Sequence, residues 1–382
     1  MSAVNNTPDR HNTLISGHCD ARFDAVRECF QASFEQDSPR ETGAAVAACV
    51  DGHWVLDLWG GCADSASGRP WQRDTVNCVF SCTKGVLALL AARLVDQGRL
   101  DYEQPVAAYW PAFAAHGKGE LSVAQLLSHQ AGLPLYPDTL SAAELCDWRG
   151  SAQALAAAAP AWTPGSRHGY HALSWGNLVG TLLERAGERP LPELLQAQLC
   201  APLGVNFQLG TGGIAASSVA RLDAPGIAGQ PRTMPDADRQ ALLLTPAVAD
   251  SDAWRRATWP GAGGFCTARD LAALYQAALD RRDPLLQTDT LHEATRTRCS
   301  GRDAVLGQHT AFAAGFQRPT DEVTPGHPGC DETWGHRGIF GSTAFADPRN
   351  GVAFAYTMNR CADPLGDERT LRLTGELYDC LR

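Results

Sequence analysis

The apolar positions along the chain change period several times, and each change predicts an element. From Ala21 the run ARFDAVRECFQASFEQ carries Phe23, Val26, Phe30 and Phe34 at the spacing of one helix face. Two β-favouring runs follow, GAAVAACV and HWVLDLWGGCAD, on either side of Asp51-Gly52, a hairpin signal. In DTVNCVFSCTKGVLALLAARLVDQGRLD a short extended run ends at Phe80. A helical pattern then continues through Leu87, Leu89, Leu90, Leu94 and Val95 and stops near Gly98. Ser81 therefore sits at a helix start.

Residues 105–260 are rich in Ala, Leu, Pro and Gly. Helical stretches are expected near 121–128, 141–159, 173–187 and 191–200, with loops rimming a cleft over 210–260. After GGFCTARDLAALYQAAL, a helix opening at Thr267 or Asp270, the pattern turns to strands in AFAAGFQ, TWGHRGIFGSTAFADP and GVAFAYTMN. Asp347, Pro348, Asn350 and Gly351 supply a turn between the last two, and DERTLRLTGELYDCL reads as a closing helix. The expected organisation is a loose arm at 1–20, an α+β lobe from 21–104 and 262–382 with a central antiparallel sheet, and a mainly helical lobe at 105–261.

With 382 residues, 44% of them hydrophobic, the chain can bury a large core. Its formal net charge of −10 argues against a nucleic-acid partner, which needs clustered Lys and Arg. No stretch approaches the ~18 apolar residues of a membrane span. The start, MSAVNNTPDRHNTLISGHCD, lacks the basic and apolar blocks of a secretory signal. Thirteen cysteines, an odd number without CxxC pairs, read as reduced thiols in a cytoplasmic protein. Cys78 and Cys82 lack partners at metal-ligand spacing, so no metal site is expected.

Three segments carry candidate chemistry. In Ser81-Cys82-Thr83-Lys84, Ser81 and Lys84 lie one helical turn apart on the same face. A buried lysine with a depressed pKa can accept a serine proton, and the helix N-terminus favours a developing oxyanion. By itself the pattern also fits an N-cap serine beside a solvated lysine. Tyr170, in TPGSRHGYHALSWGNLVG, is a hydroxyl whose pKa a neighbouring lysine can lower, making it a proton carrier; it fits simple packing at a helix start equally well. Its neighbours His168 and His171 read as polar rim residues. The glycines Gly335, Gly338 and Gly341 interrupt a strand-like run, which signals close approach of a ligand or another backbone, with His336 directed into the same region.

Taken together and in this order, SCTK, YHAL and HRG resemble the three-motif signature of serine β-lactamases, penicillin-binding proteins and family VIII carboxylesterases. LSVAQLLSHQAGLP, GGFCTARDLAAL and GSTAFADPRNG are similar to segments of the same proteins, so the resemblance spans roughly residues 20–380. It implies a β-lactamase/transpeptidase-like α+β fold, an antiparallel sheet flanked by helices plus a helical lobe. It implies Ser81 as nucleophile, Lys84 and Tyr170 as its proton carriers, and the backbone N–H groups of Ser81 and Ile339 as the oxyanion hole. His336, Gly338 and Trp334 are expected at the substrate. Two positions depart from the β-lactamase pattern. Ala172 stands where Asn is usual, and His336 where Lys is usual, which is more like the esterases. The expected activity is hydrolysis of small carboxylic esters through an acyl-enzyme, with no cofactor. β-Lactamase, D-amino-acid peptidase, amidase and acyltransferase activities remain open.

Overall fold

Asp51 and Gly52 both take positive φ, 49° and 82°. That is the primed-turn geometry whose twist matches a tight hairpin, and it joins Gly43–Val50 to His53–Asp64 as expected. The computed structural model describes residues 15–35, 40–225, 242–362 and 368–382. Its strands are β1 (Ser16–Cys19), β2 (Gly43–Val50), β3 (His53–Asp64), β4 (Arg69–Pro70), β5 (Asn77–Cys78), β6 (Gln208–Leu209), β7 (Gly264–Cys266), β8 (Cys299–Arg302), β9 (His309–Phe312), β10 (Gln317–Arg318), β11 (Trp334–Arg337), β12 (Thr343–Asp347) and β13 (Val352–Met358). The helices that matter to the site are α1 (Asp24–Ser33), α2 (Cys82–Asp96), α3 (Ser174–Gly187), α4 (Ala268–Leu279) and α5 (Arg369–Leu381).

The large antiparallel sheet runs β1-β3-β2-β13-β12-β11-β10-β9-β8, with β4 on β3. N-terminal and C-terminal segments meet within it, where β2 pairs with β13 from Val50↔Val352 to Ala44↔Met358. Every residue of β13 and all but the last of β2 is buried. Such central strands read as continuous rather than alternating apolar runs because both faces are covered. The alanines of these strands let α4 lie close across β2, β12 and β13. α1 packs against α5, and Tyr378 of α5 donates to Asp347 of β12 at 2.8 Å. This is the β-lactamase/transpeptidase-like fold that the motifs implied. A second, three-stranded sheet, β5-β7-β6, ties the chain just before Ser81 to the segment around Gly264.

Three local expectations are corrected. Ser16–Cys19, within the stretch expected to be a loose arm, pairs with β3 from Ser16↔Trp59 to Cys19↔Leu56. The open edge of β3 offers unpaired backbone groups that take a further strand; residues 1–14 lie outside the described residues. The single helix expected over 141–159 is two, Ala142–Cys146 and Trp148–Ala157, because the chain leaves helical geometry at Asp147 (φ −82°, ψ 89°). The Ser151 hydroxyl spans that break to the Glu144 carbonyl at 2.9 Å. Within the expected loops of 210–260, Pro246–Ala249 and Asp252–Arg256 are short helices, and 226–241 lies outside the described residues. Among the described residues no helix is long and apolar enough to cross a membrane.

Candidate active site

The backbone enters α2 through a strained bend. Val79 N–H donates to Gly264 O at 2.9 Å, which fixes the approach, and Phe80 then takes φ 45°. A positive φ on a bulky residue persists only where its surroundings enforce it. The bend leaves Ser81 half-buried at the N-cap of α2, with Lys84 one turn on and fully buried.

Lys84 Nζ lies 3.1 Å from Ser81 Oγ, 2.7 Å from Ala172 O and 2.9 Å from Gly261 O. Burial lowers the lysine pKa to about 7. A neutral amine has two N–H donors, which the two carbonyls take up. Its lone pair then faces Ser81 Oγ, the arrangement a general base requires. Gly261 reaches Lys84 because two glycines meet backbone to backbone. A Cβ on Gly176 of α3 would stand 2.0 Å from Gly261 N, and one on Gly261 would stand 3.1 Å from Gly176 Cα.

Tyr170 closes the cluster. Its hydroxyl lies beside Ser81, and its ring centroid lies 5.0 Å from Lys84 Nζ. The phenol pKa is raised by burial, not lowered by the lysine. An amine with a pKa near 7 supplies only a partial cation, so desolvation dominates. Tyr170 therefore stays protonated and can donate and recover a proton without carrying charge. Its ring stacks on Phe312, with centroids 6.1 Å apart and planes 13° apart. Its N–H is held by Asp303 at 3.0 Å.

The third motif is divided in its placement. His336 is fully buried, with its ring centroid 6.0 Å from that of Tyr170. Its Nδ1 donates to Arg337 O at 2.7 Å, and burial, reinforced by Lys84, lowers its pKa to about 3. It is a neutral neighbour of the Lys84–Tyr170 pair, and it presents no surface to a substrate. Gly338 is required by packing, since a Cβ there would stand 2.6 Å from Val79 O. The close approach signalled by the glycines is thus to another backbone. Trp334, expected at the substrate, is instead core. It is 1% exposed, with Phe316 and Tyr275 at ring-centroid distances of 4.8 and 5.5 Å. Alternation along β11 turns it to the same covered face as His336. Ile339 follows Gly338 at the start of a turn in which Phe340 takes φ 74°. Among the described residues neither Ser81 N–H nor Ile339 N–H has a hydrogen-bond partner.

His168 and His171 are buried rather than on a rim. His171 Nε2 accepts from Leu133 N–H at 2.9 Å while Nδ1 donates to Gly169 O, and burial brings its pKa to about 4. His129, at φ 64°, accepts from His171 N–H through Nδ1 and packs 4.9 Å from the Tyr170 ring. These rings are neutral spacers behind the tyrosine. Cys82 points away from the site, its thiol 3.2 Å from His336 O and its pKa raised by burial. Gly176, Gly261, Asp303 and Phe340 belong to none of the three motifs. The PGAGG run at 260–264 was the one visible signal among them, since clustered glycines mark close backbone approach.

The description "Beta-lactamase" belongs to the family model that matches residues 26–376. The esterase/beta-lactamase LipL of Mycobacterium tuberculosis is 33% identical to this chain, over 92% of this chain and 84% of its own. A penicillin-binding protein homolog from Caulobacter crescentus has a similar structure, with TM-score 0.85 at 38% identity over 96% of this chain and all of its own (100%). A family VIII carboxylesterase has TM-score 0.86 at 33% identity over 96% of this chain and 100% of its own.

Proposed function

This chain belongs to the β-lactamase family and is a carboxylesterase-type serine hydrolase; from that premise we propose that it forms its acyl-enzyme on Ser81. The observation that carries the assignment is the placement of buried Lys84 Nζ, 3.1 Å from Ser81 Oγ with two carbonyls, Ala172 O and Gly261 O, to take up the N–H groups of its neutral form. Ser81 Oγ attacks the ester carbonyl carbon and gives its proton to Lys84. The tetrahedral oxyanion accepts from Ser81 N–H and Ile339 N–H, a contribution worth about 2.7–4 kcal/mol per donor in a well-studied hydrolase. Collapse breaks the bond to the alcohol oxygen. That oxygen takes the Tyr170 proton, and Lys84 replenishes it. Water then attacks the acyl carbon while the same pair takes its proton, releasing the acid and restoring Ser81. Lys84, its pKa lowered to about 7 by burial, is the group that accepts the proton, and Tyr170, which stays protonated, relays it.

Esters are favoured over β-lactams by two features of the site. Ala172 offers a backbone carbonyl and no side-chain amide, and His336 is neutral where a β-lactamase has a cation. The same reading divides the chain into an α+β lobe, 21–104 with 262–382, and a mainly helical lobe, 105–261, with the substrate between them. All thirteen cysteines are free thiols, which supports a reducing, cytoplasmic setting.

The test is turnover of a short-chain p-nitrophenyl ester and of a chromogenic cephalosporin by wild type and Ser81→Ala. Ester turnover that falls by at least about 10³-fold in the variant, with little cephalosporin cleavage, is expected. Cephalosporin turnover exceeding ester turnover moves the protein to the β-lactamase side, and ester turnover surviving in Ser81→Ala rejects the mechanism.

A further inference from the structure

The turn that begins at Ile339 is strained and is gripped from behind by the first turn of α5. Phe340 takes φ 74° and Gly341 φ 127°. Arg369, fully enclosed at 1% exposure, donates through Nη2 to Phe340 O at 2.9 Å; the Ala362 N–H also donates to that oxygen, at 3.4 Å. Thr370 Oγ1 donates to Gly341 O at 3.3 Å. Arg369 is itself fixed. Its Nη1 lies 2.7 Å from the buried Glu41 carboxylate and 3.1 Å from Arg360 O, and Tyr356 donates to the same carboxylate. In front of the turn, the Phe340 ring meets Phe80 edge-on, with centroids 5.2 Å apart and planes at 83°.

Phe80 precedes Ser81 and Phe340 follows Ile339, so each strained phenylalanine adjoins one N–H of the oxyanion hole. Such strain persists only when its surroundings over-determine it. For Phe340 those surroundings are the Phe80 ring, the Ala362 N–H and the two donors from α5. We propose that Arg369, anchored by Glu41, is a positioning residue for the reaction: with Thr370 it holds the Phe340 and Gly341 carbonyls and thereby aims the Ile339 N–H at the oxyanion. The inference rests on the reading of Ile339 N–H as an oxyanion donor and adds the device that sets its direction. A guanidinium suits the task because its planar fork serves Glu41 and Phe340 at once, which an ammonium cannot do with the same geometry.

The test compares Arg369→Lys, Thr370→Val and Ser81→Ala with wild type. It measures kcat and KM for a short-chain ester, affinity for an alkyl boronic acid that forms a tetrahedral adduct on serine, and thermal melting. In Arg369→Lys, kcat is expected to fall about 10- to 100-fold, the scale of a misdirected catalytic group. KM should stay near the wild-type value, and boronate affinity should fall by the same factor as kcat. Thr370→Val, which removes one donor at nearly constant volume, should shift kcat and boronate affinity in the same direction by a smaller factor, and it carries the decision if Arg369→Lys does not fold. Folded variants with wild-type kcat and boronate affinity, beside an inactive Ser81→Ala, overturn the positioning role alone. Ester turnover that survives in Ser81→Ala overturns the underlying reading and this inference with it.

Discussion

The backbone N–H of Tyr170 donates to both carboxylate oxygens of Asp303, each at 3.0 Å, across 133 residues of sequence. The same buried carboxylate accepts from the N–H groups of Val305 and Leu306 and from the Thr310 hydroxyl. It therefore fixes Tyr170 from outside the Ser81–Lys84–Tyr170 cluster. Asp303→Ala leaves these donors without a partner and should cost about 1–3 kcal/mol of stability. Asp303→Asn keeps the shape but faces an amide toward N–H groups. It should lower kcat by about 10²-fold through displacement of Tyr170. Melting temperature together with kcat and KM decides the matter, and an Asn variant that is less stable yet fully active would make Asp303 a structural cap only.

Ester hydrolysis should gain a pH dependence from Lys84. Its pKa is lowered to about 7 by burial, and only the neutral amine accepts the serine proton. kcat/KM should therefore rise with pH and reach half its plateau near pH 7. His336 and His171, at about 3 and about 4, are neutral throughout that range. The rise should therefore persist in His336→Asn. A flat profile between about pH 5 and 9 would remove Lys84 as the base. Stability follows the same group. Unfolding restores a lysine pKa near 10.5, so between pH 7 and 10.5 the unfolded chain binds more protons and this lysine's contribution to stability rises with pH.

Gly176→Ala should damage the site without touching a catalytic side chain. The added methyl would stand 2.0 Å from Gly261 N, so α3 or the Gly261 backbone must shift and move a carbonyl away from Lys84. Overpacking of this kind costs about 1–3 kcal/mol. The expected result is a lower melting temperature together with a displaced acid limb in the pH–rate profile. A destabilised variant whose limb is unmoved would separate Gly261 from the tuning of Lys84.

Trp334 should behave as core. Trp334→Ala removes a buried indole packed on Tyr275 and Phe316 and is expected to cost about 3–5 kcal/mol. Trp334→Phe should keep KM for small esters near the wild-type value. A KM shift in the Phe variant, at unchanged melting temperature, would return this residue to the substrate's surroundings.

The sequence determined the fold, because the Asp51-Gly52 turn, the apolar runs of β2 and β13 and the helix after Ser81 are local patterns that obey local rules. It also made Ser81, Lys84 and Tyr170 candidates, since three motifs in one order are visible without coordinates. Only the tertiary structure decided how those residues are tuned. Gly261 reaches Lys84 across 177 residues of sequence, and Asp303 reaches Tyr170 across 133. Each contact joins a side chain on one segment to a backbone group on another, Lys84 Nζ to Gly261 O and the Asp303 carboxylate to Tyr170 N–H, and no local spacing marks such a pairing. Burial likewise reversed the expected direction for the Tyr170 phenol and enclosed Trp334 and His336. Desolvation depends on what packs around a group from distant parts of the chain, and no spacing along the sequence encodes it.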